Sequence, residues 1–371
     1  MIGRNDKEFY GYPLNRHRAF YERATMDRPL LAVNLGFFAH EHFPRTMKAL
    51  PKGRILPEDI PTGAFLADCE DLHRKHGHIG DDYPFVASPI MFIPWMEAIM
   101  GCPVMASPTS VWSEPFVTDW NRWHWRPPRL DDAWPRCLLK LMDNLVKFAA
   151  GRFPVSPTMM RGPADMVAAL RGACAFALDF IDTPEAIGRA MALATDIWIQ
   201  IARAQHEMIP ESPHGYMDGD RGFRFWGPEK TLWLQEDAMA LLSPGIYREF
   251  ILPADRRIAS EFGAVAFHLH DTGLFGLEDL LSIEDLDVIE LNFESAVSDV
   301  EAVFRGWSRI QKHKPLIIWR NFAPDFEPWL DRVLKEFPPQ GLSLQITAKS
   351  VEDAVRVREI FTAKTKGNSD V

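Results

Sequence analysis

Cysteine is scarce in this chain. Only four of the 371 residues are cysteine (Cys69, Cys102, Cys137 and Cys174), and no two of them form a Cys-x-x-Cys pair. That scatter argues against both a cysteine-based zinc knuckle and a disulfide framework and suits a reducing cytoplasm. Basic clusters are missing as well: no run of five is rich in Lys or Arg, and 41 basic residues face 51 acidic ones, a net charge of −10. A nucleic-acid partner is therefore not expected. No uncharged apolar run approaches the ~18 residues of a membrane span, so no membrane crossing is expected either. The start, Met1-Ile2-Gly3-Arg4-Asn5-Asp6-Lys7, leads into polar sequence rather than a signal-peptide core. Together these absences predict a cytoplasmic protein. No internal repeat is visible.

Apolar and aromatic residues are plentiful. They make up 47% of the chain, with 12 Trp and 25 Phe, and Trp95, Trp112, Trp120, Trp123, Trp125 and Trp134 crowd into one stretch. Such density means core for most of them, and a small-molecule pocket draws on the same residues.

Strand-like segments alternate with helical ones, the pattern of βα units around a parallel sheet. The strand candidates are Leu30–Leu35, Phe85–Ile93, Val104–Val111, Ser156–Met160, His214–Met217, Ala264–His268, Asp287–Leu291, Leu316–Trp319 and Leu342–Ile346. One of the early ones exceeds the eight places of a barrel and is expected to be a hairpin or loop. Thr183-Pro184-Glu185 opens a helix whose stripe Ile187, Met191, Ala194, Trp198 and Ile201 recurs every three or four residues. Ser243-Pro244 opens a second, expected to bend at Pro253 and stop at Gly263. The fold expected is an α/β protein, a single-domain (β/α)8 TIM barrel over residues 28–363. Residues 1–27 form an N-terminal extension and 364–371 a loose tail. A doubly wound sheet is the second choice.

The most informative stretch is Phe267-His268-Leu269-His270-Asp271-Thr272-Gly273. In a strand, residues two apart share a face, so both imidazoles converge while Leu269 packs the other way. The following acid and Thr-Gly turn put them where a strand ends, the place where α/β folds set their chemistry. Two neutral imidazoles at that spacing are half of a zinc site. A carboxylate must complete it, and Asp271, Glu290, Asp218 and Glu97 lie at predicted strand ends or starts. Glu290, inside the apolar Val288-Ile289-Glu290-Leu291 run, is the first choice, since a buried carboxylate must be metal-bound or paired. A salt bridge to an arginine is its alternative.

Several segments share their order with a known family. Leu242-Ser243-Pro244-Gly245-Ile246-Tyr247-Arg248-Glu249-Phe250-Ile251-Leu252-Pro253 is followed fifteen residues later by His268. Arg161-Gly162-Pro163 leads to Phe180-Ile181-Asp182-Thr183-Pro184-Glu185, and Ser88-Pro89-Ile90-Met91-Phe92-Ile93-Pro94 to Glu97-Ala98-Ile99-Met100-Gly101. From about Arg28 to Phe361 the chain resembles the uroporphyrinogen decarboxylase superfamily, which includes cobalamin-associated methyltransferases. The resemblance implies a (β/α)8 barrel with its site at the C-terminal ends of the strands.

The departures matter more. The decarboxylases grip porphyrinogen carboxylates with an early arginine-rich loop; here Leu35-Gly36-Phe37-Phe38-Ala39-His40-Glu41-His42 has none before Arg45. Their catalytic aspartate falls at Pro89. A true uroporphyrinogen decarboxylase is therefore not expected. The methyltransferase branch binds zinc with a His-x-Cys pair and a later cysteine. His268 matches its histidine, His270 replaces the first cysteine, and Leu344-Gln345-Ile346-Thr347-Ala348 lacks the second. A nitrogen-and-oxygen zinc site of His268, His270 and Glu290 is what remains.

The expected activity is methyl transfer or demethylation of a small methylated or methoxylated compound, the acceptor being a corrinoid on a separate protein. Asp71-Leu72-His73-Arg74-Lys75-His76 imitates the start of the cobalamin Asp-x-His-x-x-Gly pattern, yet His76 replaces the glycine; its charges read as a solvated helix end. Asp271, Asp218 and Glu97 are the acid–base candidates. Phe37, His40, Trp95, Tyr216, Trp226, Trp319 and Arg320 are the pocket candidates, Arg320 offering a cation to an anionic group. A corrinoid protein and a second copy of this chain are the partners this reading admits. A metal-dependent lyase, hydrolase or decarboxylase of a small acid, or a non-catalytic tetrapyrrole or corrinoid binder, are the alternatives.

Overall fold

The computed structural model describes residues 8–123, 126–219, 223–293 and 299–366. Trp125 and the last five residues of the expected tail lie outside that range. The centre of the molecule is a parallel sheet of six strands. In spatial order they are Leu30–Leu35, Leu342–Ala348, Leu316–Asn321, Val288–Leu291, Ala264–Leu269 and Thr231–Gln235.

The strands are almost wholly buried, as expected where both faces are covered. Alternation still separates the faces. Leu30, Ala32, Ala264, Ala266, Val288 and Ile317 look inward, while Val33, Val265, Phe267, Ile289 and Ile318 pack in the larger core with the helices. Small inward alanines leave room, and other parts of the chain fill it.

The edges of the sheet approach two extended segments. Asp82 N donates to Leu31 O at 2.9 Å, and Ala87 pairs in parallel with Val155. Beyond Val155 the chain reaches Gly162, where a Cβ would run into Gln235 O and the Glu236 carboxylate. Only glycine permits that approach. The arrangement is compatible with a TIM-barrel-like fold, in which six strands make the continuous hydrogen-bonded sheet.

The early strand candidates fare differently. Val104–Ala106 and Val111–Ser113 form a separate antiparallel sheet with Gly53–Ile55, so that segment is a hairpin. Phe85–Ile93 contributes only the single bridge at Ala87; Pro84, Pro89 and Pro94 lack the N–H a ladder needs. Tyr216 and Met217 belong to an antiparallel hairpin, Tyr216–Asp218 with Phe225–Gly227.

That hairpin occupies the sheet's inner side. Met217, Phe223, Phe225 and Trp226 bury themselves against Ala32, Trp233, Ala266 and Ile317. Gly219, at φ +99°, makes the turn, where a Cβ would strike Phe223 O. Buried Arg224 anchors the tip: its Nη groups meet His76 Nε2 at 2.8 Å, Pro84 O and Val33 O at 3.0 Å, and Asn34 Oδ1 at 2.7 Å. Asp81, 3.4 Å away, supplies the countercharge. The His73–His76 end of the helix Thr62–His76 is therefore not a solvated terminus at His76, which is 6% exposed.

The helices follow their sequence signals. Pro184–Met208 starts at its proline, and its predicted stripe is buried. Ser243 Oγ accepts from Ile246 N at 3.3 Å, and the bend takes the form of a π turn, Tyr247–Ile251, just before Pro253. The final helix, Val351–Thr365, runs into the expected tail, with Lys364 paired to Asp331 at 2.7 Å. In the expected extension, the helix Leu14–Tyr21 sends Leu14 and Phe20 into the inner cluster. Among the described residues no helix is long and apolar enough to cross a membrane.

Candidate metal centre

His268 is the last inward-facing residue of its strand, flanked in register by Gln235 on one neighbour and Glu290 on the other. His270 follows where the strand gives way to the turn Asp271–Gly276. The two imidazoles face each other with Nε2 atoms 3.0 Å apart. Asp237, just past the Thr231–Gln235 strand, brings Oδ1 to 3.5 Å from His270 Nε2. One ligand atom from each of Asp237, His268 and His270 lies within 4.8 Å of the others. Ligands of a tetrahedral zinc with ~2.0–2.1 Å bonds are separated by roughly 3.3 Å. The His268–His270 and His270–Asp237 separations, 3.0 and 3.5 Å, lie close to that spacing.

The outer contacts aim the imidazoles. Glu290 meets His268 Nδ1, and a carboxylate there holds the proton on Nδ1 and leaves the Nε2 lone pair directed at the centre. Asn292 Nδ2 lies 2.9 Å from His270 Nδ1; with the amide turned over so that its oxygen accepts from Nδ1–H, His270 also presents an Nε2 lone pair. The expectation that Glu290 is itself a ligand changes in consequence. Its carboxylate sits behind His268, and Asp237 is the carboxylate on the open side.

Asp237 belongs to a crowded electrostatic cluster. Gln235 Nε2 donates to its Oδ2 at 3.2 Å, and Arg161 Nη2 stands 3.8 Å away. Arg161 also faces Glu97 at 3.4 Å and Asp165 at 3.7 Å. Burial, then the charge of Asp237, pushes the Asp165 carboxyl up to about 7. Burial likewise raises Glu97 against the pull of Arg161. Glu236 is raised by burial and by Asp255 and Asp165, and it accepts from Ala164 N at 2.9 Å across the Gly162 contact. Several carboxylates share one guanidinium, which a divalent cation would offset.

Aromatic rings close the inner side. Phe223, from the hairpin tip, stands edge-on to His268 with centroids 4.8 Å apart. Trp319 stacks on Phe223 at 6.1 Å and on Phe37 at 5.6 Å, its Nε1 donating to Thr347 Oγ1 at 2.9 Å. Beside Arg161 opens a cavity of about 600 Å³, counted with its mouth, walled by Phe92, Trp95, Met96, Trp112 and Met159.

The structure thus brings together His268, His270, Glu290, Phe37 and Trp319, and ties Glu97 and Trp95 in through Arg161 and its cavity. The remaining candidates lie elsewhere. Asp271 opens the rim turn after His270. Asp218 is buried in the hairpin, taking Gly219 N at 2.6 Å. Tyr216 donates to Glu211 at 2.7 Å, and Trp226 donates to His214 O at 2.9 Å and packs edge-on to Tyr21. His40 stacks on exposed Phe38. Arg320 follows Trp319 in its strand and so points to the other face, paired with Asp325 at 2.7 Å and lying over Trp329. Asp237, Arg161 and Phe223 escaped the sequence reading.

No protein-family model matches the chain, and no curated protein matches it in sequence. Its fold does have a solved counterpart, a methyltransferase from Methanosarcina mazei, with a TM-score of 0.63 and 14% identity over 95% of this chain and 99% of that one.

Proposed function

We propose that this chain is a zinc-dependent enzyme of methyltransferase type. It removes a methyl group from a small methylated or methoxylated compound and passes it to a corrinoid on a separate protein. The observation that carries the reading is the pair of Nε2 atoms 3.0 Å apart with Asp237 alongside, at the ends of two neighbouring strands. The fold shared with a methyltransferase supports the choice of reaction. His268, His270 and Asp237 would hold the ion, with Glu290 and Asn292 fixing the imidazoles.

Zinc bound there would supply a Lewis acid for the heteroatom that loses its methyl group. Three protein ligands would leave the ion open to that atom. Phe223 and Trp319 shield the imidazoles on the inner side. Arg161, which lines the cavity, stands 3.4 Å from Glu97 and 3.8 Å from Asp237 and so links the cavity to the candidate centre. Burial and the neighbouring Asp237 charge hold the Asp165 carboxyl above the ordinary carboxylate range beside the candidate centre, which also suits acid–base work, so a metal-dependent lyase or hydrolase is the second reading.

The two readings part on the acceptor. Zinc-loaded protein, a methoxylated substrate and a reduced corrinoid protein should together produce methylated corrinoid, followed by its absorbance. Turnover that proceeds equally well without any acceptor contradicts methyl transfer and favours the lyase or hydrolase.

A further inference from the structure

Two charged side chains line the cavity beside the metal centre, and only one of them meets its contents. Glu97 is fully buried, whereas Arg161 is 48% exposed. Arg161 is also loosely held. Its three carboxylates stand 3.4, 3.7 and 3.8 Å away, while Arg171 grips Asp179 and Arg28 grips Asp82 at 2.6 Å. A guanidinium offers five donors in a planar fork. Each of its three nitrogens faces one carboxylate, Nη1 Glu97, Nε Asp165 and Nη2 Asp237, at distances that leave N–H capacity for an oxyanion arriving at its exposed side. The lining as a whole is more polar than apolar and includes Ser113, and within it Phe92, Trp112, Met96 and Met159 offer apolar side chains to a flat ring or a compact branched body.

We infer that the substrate is a small aryl-sized carboxylate, its carboxylate clamped by Arg161 and its apolar body lying between Trp112 and the methionines. The inference rests on the methyl-transfer reading only for which bond reacts. Arg161 lies 3.8 Å from Asp237, so the clamped carboxylate and the reacting heteroatom are neighbours on the same molecule.

The test is calorimetric titration of the zinc-loaded full chain with 2-methoxybenzoate, whose ether adjoins its carboxylate, and with 2-methoxybenzamide, of equal shape but uncharged. The carboxylate should bind roughly tenfold or more tighter than the amide. Arg161→Met should erase that preference while Trp112→Ala weakens both ligands. Equal binding of acid and amide by the wild-type protein, or no binding of the acid, overturns the inference, and this comparison needs no variant to fold. An acid that binds through Arg161 yet never yields methylated corrinoid sinks the methyl-transfer reading and leaves the carboxylate site standing. Methyl transfer from an uncharged compound, with no binding of the acid, does the reverse.

Discussion

Glu290 meets Nδ1 of His268 from the adjacent, register-paired strand, turning the other nitrogen of that imidazole toward His270 and Asp237. Orientation rather than ligation is then the contribution of Glu290. Glu290→Gln keeps the volume and removes the charge, and should weaken zinc binding by about 10- to 100-fold with the fold intact. Competition with a chromophoric chelator measures it. Unchanged affinity would mean that the carboxylate has no hold on the metal.

Asp237 makes the opposite prediction. As the open-side carboxylate it should be a direct ligand, so Asp237→Ala should reduce zinc affinity more than Glu290→Gln does. Asp271→Ala, at the rim turn, serves as a comparison in the same titration. A loss confined to Asp271→Ala would move the third ligand there.

The difference between these carboxylates shows how far the sequence could be read. His268 and His270 were legible because period-two geometry is local and needs no knowledge of the rest of the chain. Asp237 was not, because its strand, Thr231–Gln235, is only five residues long between Pro228-Glu229-Lys230 and the acidic Glu236-Asp237. Without that strand, nothing in the sequence marks the acid at its end. His76 misled for another reason: its partner Arg224 is 148 positions away and reaches it through a hairpin folded inside the sheet. Arg320 was placed in the pocket beside Trp319 although adjacent strand residues face apart. Periodicity and caps carried the alternating α/β pattern and the long helices; contacts between distant segments required the fold.

The hairpin that supports the centre depends on Arg224. Arg224→Met would take the guanidinium from the buried Asp81 and leave it with His76 at 3.4 Å and the Val33 N–H at 2.7 Å. Loss of one partner from a buried ion pair destabilises by about 3–5 kcal/mol. Urea unfolding should show a loss of that size, and a change below about 1 kcal/mol would mean that water replaces the guanidinium.

Asp218 gives the protein a pH signature. Burial pushes its carboxyl up to about 8, opposed by Gly219 N–H and Ser156. The folded state therefore keeps a proton that the unfolded chain has released above its own pKa near 3.8. Stability linked to this group is present at low pH and declines as pH rises from about 4 to about 8. Asp218→Asn should remove that slope, its advantage over wild type growing by up to roughly 1.4 kcal/mol per pH unit within the window. Chemical denaturation at several pH values checks it; a pH-independent difference would show that Asp218 ionises normally.

His206 and His17 should behave in the reverse sense. Burial lowers both imidazoles to about 4. Their contribution is complete above the unfolded value near 6.5 and fades as pH falls toward 4. His206→Gln should therefore flatten the acid side of the stability profile, and an unchanged acid limb in the same denaturation series would contradict it.

The most direct test of the central claim is metal content by mass spectrometry, wild-type protein beside His268→Ala, after both have been offered zinc and dialysed. About one zinc per wild-type chain is expected from a site of this ligand set, with none retained by a folded variant. Zinc held equally by both proteins, or by neither, would contradict a metal centre built on His268, His270 and Asp237.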